Sequence, residues 1–251
     1  MALPDDGALA APRSPAPPPA AGRPAAAAAL RAQHRGRVLG NQLSLAAGWG
    51  RPCLSYLLCI RPDADARAGL AAVQDAVAGP EPALLRIPPQ ALHLSVAWLL
   101  GVHETFARPK DELWAEYGPG WLAMLRTALA ALPPFSLRLR ELAATDTAVI
   151  AIADAPNPVT ALRAELTGAL PRPRNLPLSR GELVHTTLFR YRAPLAAPEA
   201  FLQRVAGAAV NLQVSVHEMA LIREIVFPSL RFQTVQNFTL TPGVPAPAHL
   251  L

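Results

Sequence analysis

Apolar positions along this chain change period repeatedly, and the changes mark out its elements. Ser55-Tyr-Leu-Leu-Cys-Ile60 is a continuous apolar run closed by Arg61-Pro62, which predicts a buried strand. From Ala64 to Val77 the spacing becomes three and four, with Leu70, Val73 and Val77 on one face. This predicts a helix that Asp63 caps and Gly79-Pro80 ends. Pro88-Pro89 then isolates Leu92 to Leu99 as a second strand. After a more polar loop, Gly101 to Gly120, the pattern predicts a helix over Trp121 to Leu132 and strands over Ser136 to Leu142 and Ala148 to Ala153. A second set restates the first. It has a helix over Pro158 to Leu170 with Asn157 as its cap, a basic proline-broken loop from Pro171 to Arg180, and a strand around His185. A helix from Pro198 to Val205 and strands over Leu212 to Val216, Met219 to Val226 and Arg231 to Leu240 complete it. Strands and helices in two roughly parallel sets predict an α+β fold with two similar lobes.

Two of the predicted strands carry chemistry. Leu92-His-Leu-Ser-Val-Ala-Trp-Leu-Leu-Gly101 places His93 two residues before Ser95, and Leu183-Val-His-Thr-Thr-Leu-Phe-Arg190 places His185 two residues before Thr187. Side chains of a strand alternate between its faces, so each pair presents an imidazole and a hydroxyl side by side. Leu92, Leu94, Val96 and Trp98, and likewise Val184, Thr186 and Leu188, then face the core. The pattern alone is cheap, because His103-Glu-Thr105 matches it too, in a polar stretch with no alternation. A single such histidine in a strand is more often a satisfied core residue. Two matching strands, each with its own hydroxyl and its own helix-loop approach, reverse that balance. His217 and His249 have no hydroxyl two residues on and are expected to be structural or tail residues.

Composition changes the picture at the ends more than in the middle. Residues 1 to 38 are rich in Ala, Pro and Arg, without an aromatic residue or apolar periodicity, and are expected to be a disordered tail ahead of a bilobal domain over 39–251. The scattered arginines allow an organellar transit segment, although serine is scarce. At 251 residues and 51% hydrophobic the chain can bury a full core. Its net charge of +5 rests almost wholly on arginine, Lys110 being the one lysine. That fits a GC-rich genome as well as an acidic partner, so the charge alone does not argue for nucleic acid. If their run is extended, Cys53 and Cys59 lie about 20 Å apart, beyond disulfide reach. Unpaired thiols predict a reducing, cytoplasmic setting. No apolar window is long enough for a membrane helix, so a soluble protein, expected to be monomeric, is the reading.

The paired motifs resemble the signatures of the two-histidine (2H) phosphoesterase superfamily, the group that includes bacterial 2′-5′ RNA ligases and cyclic nucleotide phosphodiesterases. The likeness runs from the Ser55 strand to the strands near Leu240. It departs mildly in having Ser95 where threonine is usual and Val96 where leucine is commoner. The resemblance implies two pseudo-symmetric lobes, each a curved, mainly antiparallel sheet with helices outside, facing each other across a groove. It implies His93 and His185 as a general acid/base pair and Ser95 and Thr187 as phosphate-binding hydroxyls. It implies no metal and no cofactor, and a nucleotide or RNA with a cyclic or 2′-5′ phosphodiester as substrate. The alternatives on the same fold are a ligase-type activity and a nucleotide or RNA receptor without turnover. Arg190, Phe189 and Tyr56 are further candidate substrate contacts: Arg190 flanks the second motif with Arg192, and Phe189 shares parity with His185 as a stacking ring. Trp98, of opposite parity to His93, is expected in the core. The loops Gly101 to Gly120 and Pro171 to Arg180 are expected to line the groove and set specificity.

Overall fold

The computed structural model describes residues 24–154, 158–171, 173 and 183–241. Its strands are β1 (Pro52–Ile60), β2 (Leu84–Arg86), β3 (Leu94–Leu100), β4 (Phe135–Ala144), β5 (Ala148–Ala153), β6 (His185–Tyr191), β7 (Leu212–Val216), β8 (Glu218–Val226) and β9 (Arg231–Thr239). The helices are α1 (Pro24–Leu39), α2 (Ala64–Ala78), α3 (Lys110–Ala130), α4 (Pro158–Ala169) and α5 (Pro198–Gly207). Local signals account for most of these boundaries. Asp63 accepts a hydrogen bond from the Ala66 amide at 2.8 Å and so starts α2, and Leu70, Val73 and Val77 are its buried face. The Asn157 cap and most of the 171–180 loop lie outside the described residues.

Among the described residues these strands all pair antiparallel, in the order β7-β4-β5-β6-β3-β1-β8-β9, with β2 also on β6. The two predicted lobes are therefore the halves of one curled α+β sheet. The halves meet through a single register pair, Leu94 with Thr186. Beyond it β3 leaves β6, whose further edge is taken by β2. The groove opens at this fork.

Helices are exchanged between the halves. α2 follows β1 in the chain, yet it packs on β6, β7 and α5; α4 follows β5, yet it packs on β3 and α3. Apolar faces of these helices and one face of the sheet form the main core, with Leu58, Leu70, Trp121, Leu166 and Phe201 among its members. Among the described residues no helix is long and apolar enough to cross a membrane.

Two expectations are corrected here. Residues 24–38 are not a disordered tail but most of α1, which lies along the β4–β5 hairpin; residues 1–23 are outside the described part. Its alanine run is a strong helix former, and it is held by buried Ala27 and Val38 and by charges. Arg31 pairs with Glu141 at 2.8 Å, and His34 and Arg37 both reach Asp146, at 2.8 and 2.9 Å. Contacts of this kind leave no hydrophobic period to read. The Gly101 to Gly120 loop is in turn half helix, because α3 starts at Lys110, with Asp111 and Glu112 in its first turn.

Candidate active site

The Leu94–Thr186 pair sets the geometry of the site. In an antiparallel register, the residues flanking that pair put His93 across from Thr187 and Ser95 across from His185. The two motifs are thus related by a local two-fold at the bottom of the groove. All four side chains line one cavity of about 240 Å³, and each is half-buried, open to the cavity and held from behind. His93 lies just ahead of β3, where the Pro89–Ala91 turn feeds the strand. Its Nδ1 sits 2.8 Å from the Ala91 carbonyl oxygen, a contact in which Nδ1–H donates and Nε2 is left for the groove.

His185 is placed differently. The Leu183 carbonyl, two residues earlier, acts on it electrostatically, but Nδ1 makes no hydrogen bond of good geometry. That carbonyl is instead taken by Arg163 of α4, whose Nη1 donates to it at 3.2 Å. The same guanidinium donates from Nη2 to the Ser95 carbonyl at 2.6 Å and from Nε to the Val96 carbonyl at 3.0 Å. One side chain therefore ties the backbones of both motifs together where the β3–β6 ladder stops.

Burial lowers the pKa of both imidazoles, and the neighbouring charges separate them. For His185, burial is opposed by the Leu183 carbonyl and reinforced by Arg163, Arg190 and His93, and its pKa is pushed down to about 4. His93 is also lowered by burial, which the Ala91 carbonyl and the Glu224 carboxylate oppose and Arg190 and Arg61 reinforce. Glu224 is a buried acid on β8, on the groove face. Ser55 Oγ donates to it at 2.7 Å, and the Ser229 amide and hydroxyl donate to its other oxygen. It thereby pins the Phe227–Ser229 turn, one wall of the cavity, to β1.

Strand irregularities redistribute the aromatic candidates. Ser95 pairs with Cys59, but Ala97 pairs with Leu58, so Val96 is an extra residue that inverts the alternation of β3. Trp98 consequently lies on the groove face and lines the cavity, against the parity expectation. β6 has the matching bulge. Ile150 pairs with Thr187 and Val149 with Phe189, which sends Phe189 into the main core at 1% exposure. It cannot stack on a ligand in the groove. Tyr56 is likewise corrected: it is buried on the helix side, stacked on Trp114 with ring centroids 4.0 Å apart. Arg190 does line the cavity, with burial lowering its pKa and Glu224 opposing. Arg192 points away and donates to the Pro82 carbonyl. None of Gly101 to Gly120 lines the cavity. His103 is exposed beside the Phe227 ring, and His217 is exposed between β7 and β8, while His249 lies outside the described residues.

Sequence reasoning missed Arg163, Glu224 and the Phe227–Ser229 turn. A lone acid inside the apolar run Met219 to Val226 was a readable signal for Glu224. Arg163 carries none, because helix exchange alone brings α4 to β3. Among the described residues no three His, Cys, Asp or Glu side chains cluster as a metal site would require.

Comparison with known proteins places this geometry. TT0787 of Thermus thermophilus has a similar fold, with a TM-score of 0.55 and 24% identity, over 74% of this chain and 97% of that one. The structure of E. coli LigT complexed with phosphate gives a TM-score of 0.48 and 18% identity, over 76% and 99% of the two chains. That of E. coli LigT complexed with 3′-AMP gives 0.48 and 16% over the same shares. No curated protein sequence matches the chain. Residues 59–225 match the model of one family, "2'-5' RNA ligase superfamily", and they contain both motifs, Arg163 and Glu224. The chain belongs to the 2′-5′ RNA ligase superfamily of two-histidine phosphoesterases.

Proposed function

We propose that this protein is a phosphodiesterase that needs no metal and hydrolyses a 2′,3′-cyclic phosphate or a 2′-5′ phosphodiester, in RNA ends or small nucleotides. The observation that carries this reading is the single cavity shared by His93, Ser95, His185 and Thr187. In-line displacement at phosphorus needs a base on the attacking side and an acid on the leaving side, and two imidazoles related by a local two-fold in one cavity fit that need. Neighbouring charge divides the roles. Guanidiniums lower both imidazoles, but the Glu224 carboxylate opposes this only at His93, so we assign His185 as the base and His93 as the acid.

His185 takes a proton from water as the water oxygen bonds to phosphorus. The P–O bond to the ribose breaks, and the departing oxygen receives the His93 proton. Ser95 and Thr187 hydroxyls donate to the non-bridging oxygens, whose charge rises in the transition state. Arg190 adds a fixed positive charge at the same edge.

The test is turnover of 2′,3′-cyclic nucleotides and of a 2′-5′ dinucleotide by the unmodified chain and by His93→Ala and His185→Ala. Loss of turnover in both folded variants, with no effect of chelator on the unmodified chain, is the expected result. Activity surviving both substitutions overturns the reading, and tight binding of substrate without product assigns a receptor instead.

A further inference from the structure

α1 does more than cover the sheet edge. It lies on the same sheet face as the site, because Ala148, Ile150 and Ile152 of β5 share that face with His185 and Thr187, and Ala27 packs against these three residues at 1% exposure. Small alanine side chains let the helix sit close to the strands. One turn on, Leu30 stands at the helix edge toward the groove. Between Leu30 and the β5–β6 surface is a second cavity of about 350 Å³, which shares Leu183, His185, Thr187 and Arg190 with the first. That volume falls within the range of small-molecule sites, about 300–1,000 Å³.

The lining of this cavity is graded. Arg190, at the shared edge, is the one cation among the described residues that line it. Its Nε is buried and makes no hydrogen bond. Among the residues that line only this cavity, the walls are Leu30, Ala148 and Ile150, with buried Thr145 behind exposed Thr147. A further phosphate there would have only Arg190, which the first cavity already shares, to neutralise it, whereas a flat, uncharged ring would find apolar surface on two sides and the exposed Thr147 at its edge. The wall is well anchored: Arg31 holds Glu141 and also donates to the Leu142 carbonyl, while His34 and Arg37 hold Asp146. α1 lies outside the residues 59–225 that match the family model, so the wall comes from this chain's N-terminal segment.

We infer that the cavity between α1 and β5–β6 is a nucleoside subsite, which seats the base and sugar on one side of the scissile phosphate with Leu30 against the ring. The inference rests on reading the groove as a phosphodiester site, and binding measurements separate the two. Calorimetry compares adenosine 3′-monophosphate with inorganic phosphate on the unmodified chain and on Leu30→Trp, with Leu30→Met as the conservative control. Leu30→Trp is expected to weaken the nucleotide at least about tenfold and to leave inorganic phosphate unchanged; Leu30→Met restores nucleotide binding. On the unmodified chain, intermolecular NOEs are expected from the Leu30 methyls to base and ribose protons, and these decide the matter should Leu30→Trp not fold. Equal affinity of Leu30→Trp and the unmodified chain for the nucleotide, equal loss for both ligands, or absent NOEs with nucleotide bound each overturn the subsite. Nucleotide binding no tighter than phosphate on the unmodified chain does so as well. Binding of adenosine 3′-monophosphate through Leu30 with no turnover of the 2′,3′-cyclic nucleotides or the 2′-5′ dinucleotide keeps the subsite and overturns the phosphodiesterase reading instead.

Discussion

Arg163 Nη2 lies 2.6 Å from the carbonyl oxygen of Ser95, joining a helix of the second half of the chain to the motif strand of the first. With its bonds to Val96 and Leu183 it replaces the missing rungs of the β3–β6 ladder. Lysine cannot reproduce a planar three-way contact, so Arg163→Lys and Arg163→Gln are both expected to lower kcat, by roughly 10²-fold if the imidazoles shift by about 1 Å. Because the Arg163 charge depresses His185, Arg163→Gln also moves the His185 titration upward. Imidazole proton shifts followed by NMR check this. A role in stability alone would leave that titration where it is.

Both histidines titrate below the ordinary value of 6.5. The window in which one is neutral and the other protonated therefore lies on the acid side of 6.5, and the pair titrates as a unit. We expect kcat/KM of the free enzyme to peak below pH 6.5 and to fall through neutrality as the acid loses its proton. The sign for stability follows. A depressed folded pKa means that between 6.5 and about 4 the unfolded chain binds a proton that folded His185 does not, so stability falls as pH falls through that range. Urea denaturation at pH 7 and pH 4.5 should show a smaller loss for His185→Asn than for the unmodified chain. An equal loss in the two would contradict the assignment.

The bulges in β3 and β6 assign opposite fates to two rings that simple alternation would exchange. Phe189→Ala empties a core position and is expected to cost about 3–5 kcal/mol, visible as a large drop in the denaturation midpoint. Trp98→Ala, on the groove face, should be milder in stability and should raise KM. Finding the KM effect at position 189 would mean that the β6 bulge is misplaced.

Ser55 donates to Glu224 in a buried setting. Removing a donor from a buried carboxylate costs about 1–3 kcal/mol, so Ser55→Ala should lower stability by that amount. It should also loosen the Phe227–Ser229 turn that Glu224 pins. Denaturation midpoints and KM together check it: a fall in stability with KM unchanged would mean that the turn does not shape the site.

Much of this architecture is written locally. Most elements between Ser55 and Leu240, though not β2 or the first half of α3, follow from hydrophobic period, proline punctuation and the Asp63 cap, since those are properties of neighbouring residues. Both motifs were legible too, because i and i+2 share a strand face whatever lies around them. His93 with Ser95 and His185 with Thr187 could therefore be singled out by type and spacing.

What only the tertiary structure decided are relations between distant residues. That one register pair, Leu94 with Thr186, sets the two motifs across from each other is a property of strand order. Helix exchange puts Arg163 on β3, and pairing of β8 with β1 puts Glu224 into the groove. One extra residue in each motif strand moved Trp98 in and Phe189 out, and a bulge depends on the partner strand rather than on the strand itself. α1 is the clearest case. A segment of alanines and arginines has no apolar period with which to announce a fold, and is seated by partners far along the chain, Glu141 and Asp146 for its charges and β5 for Ala27. Local periodicity thus named the reacting groups, and long-range pairing determined how they are held and what stands beside them.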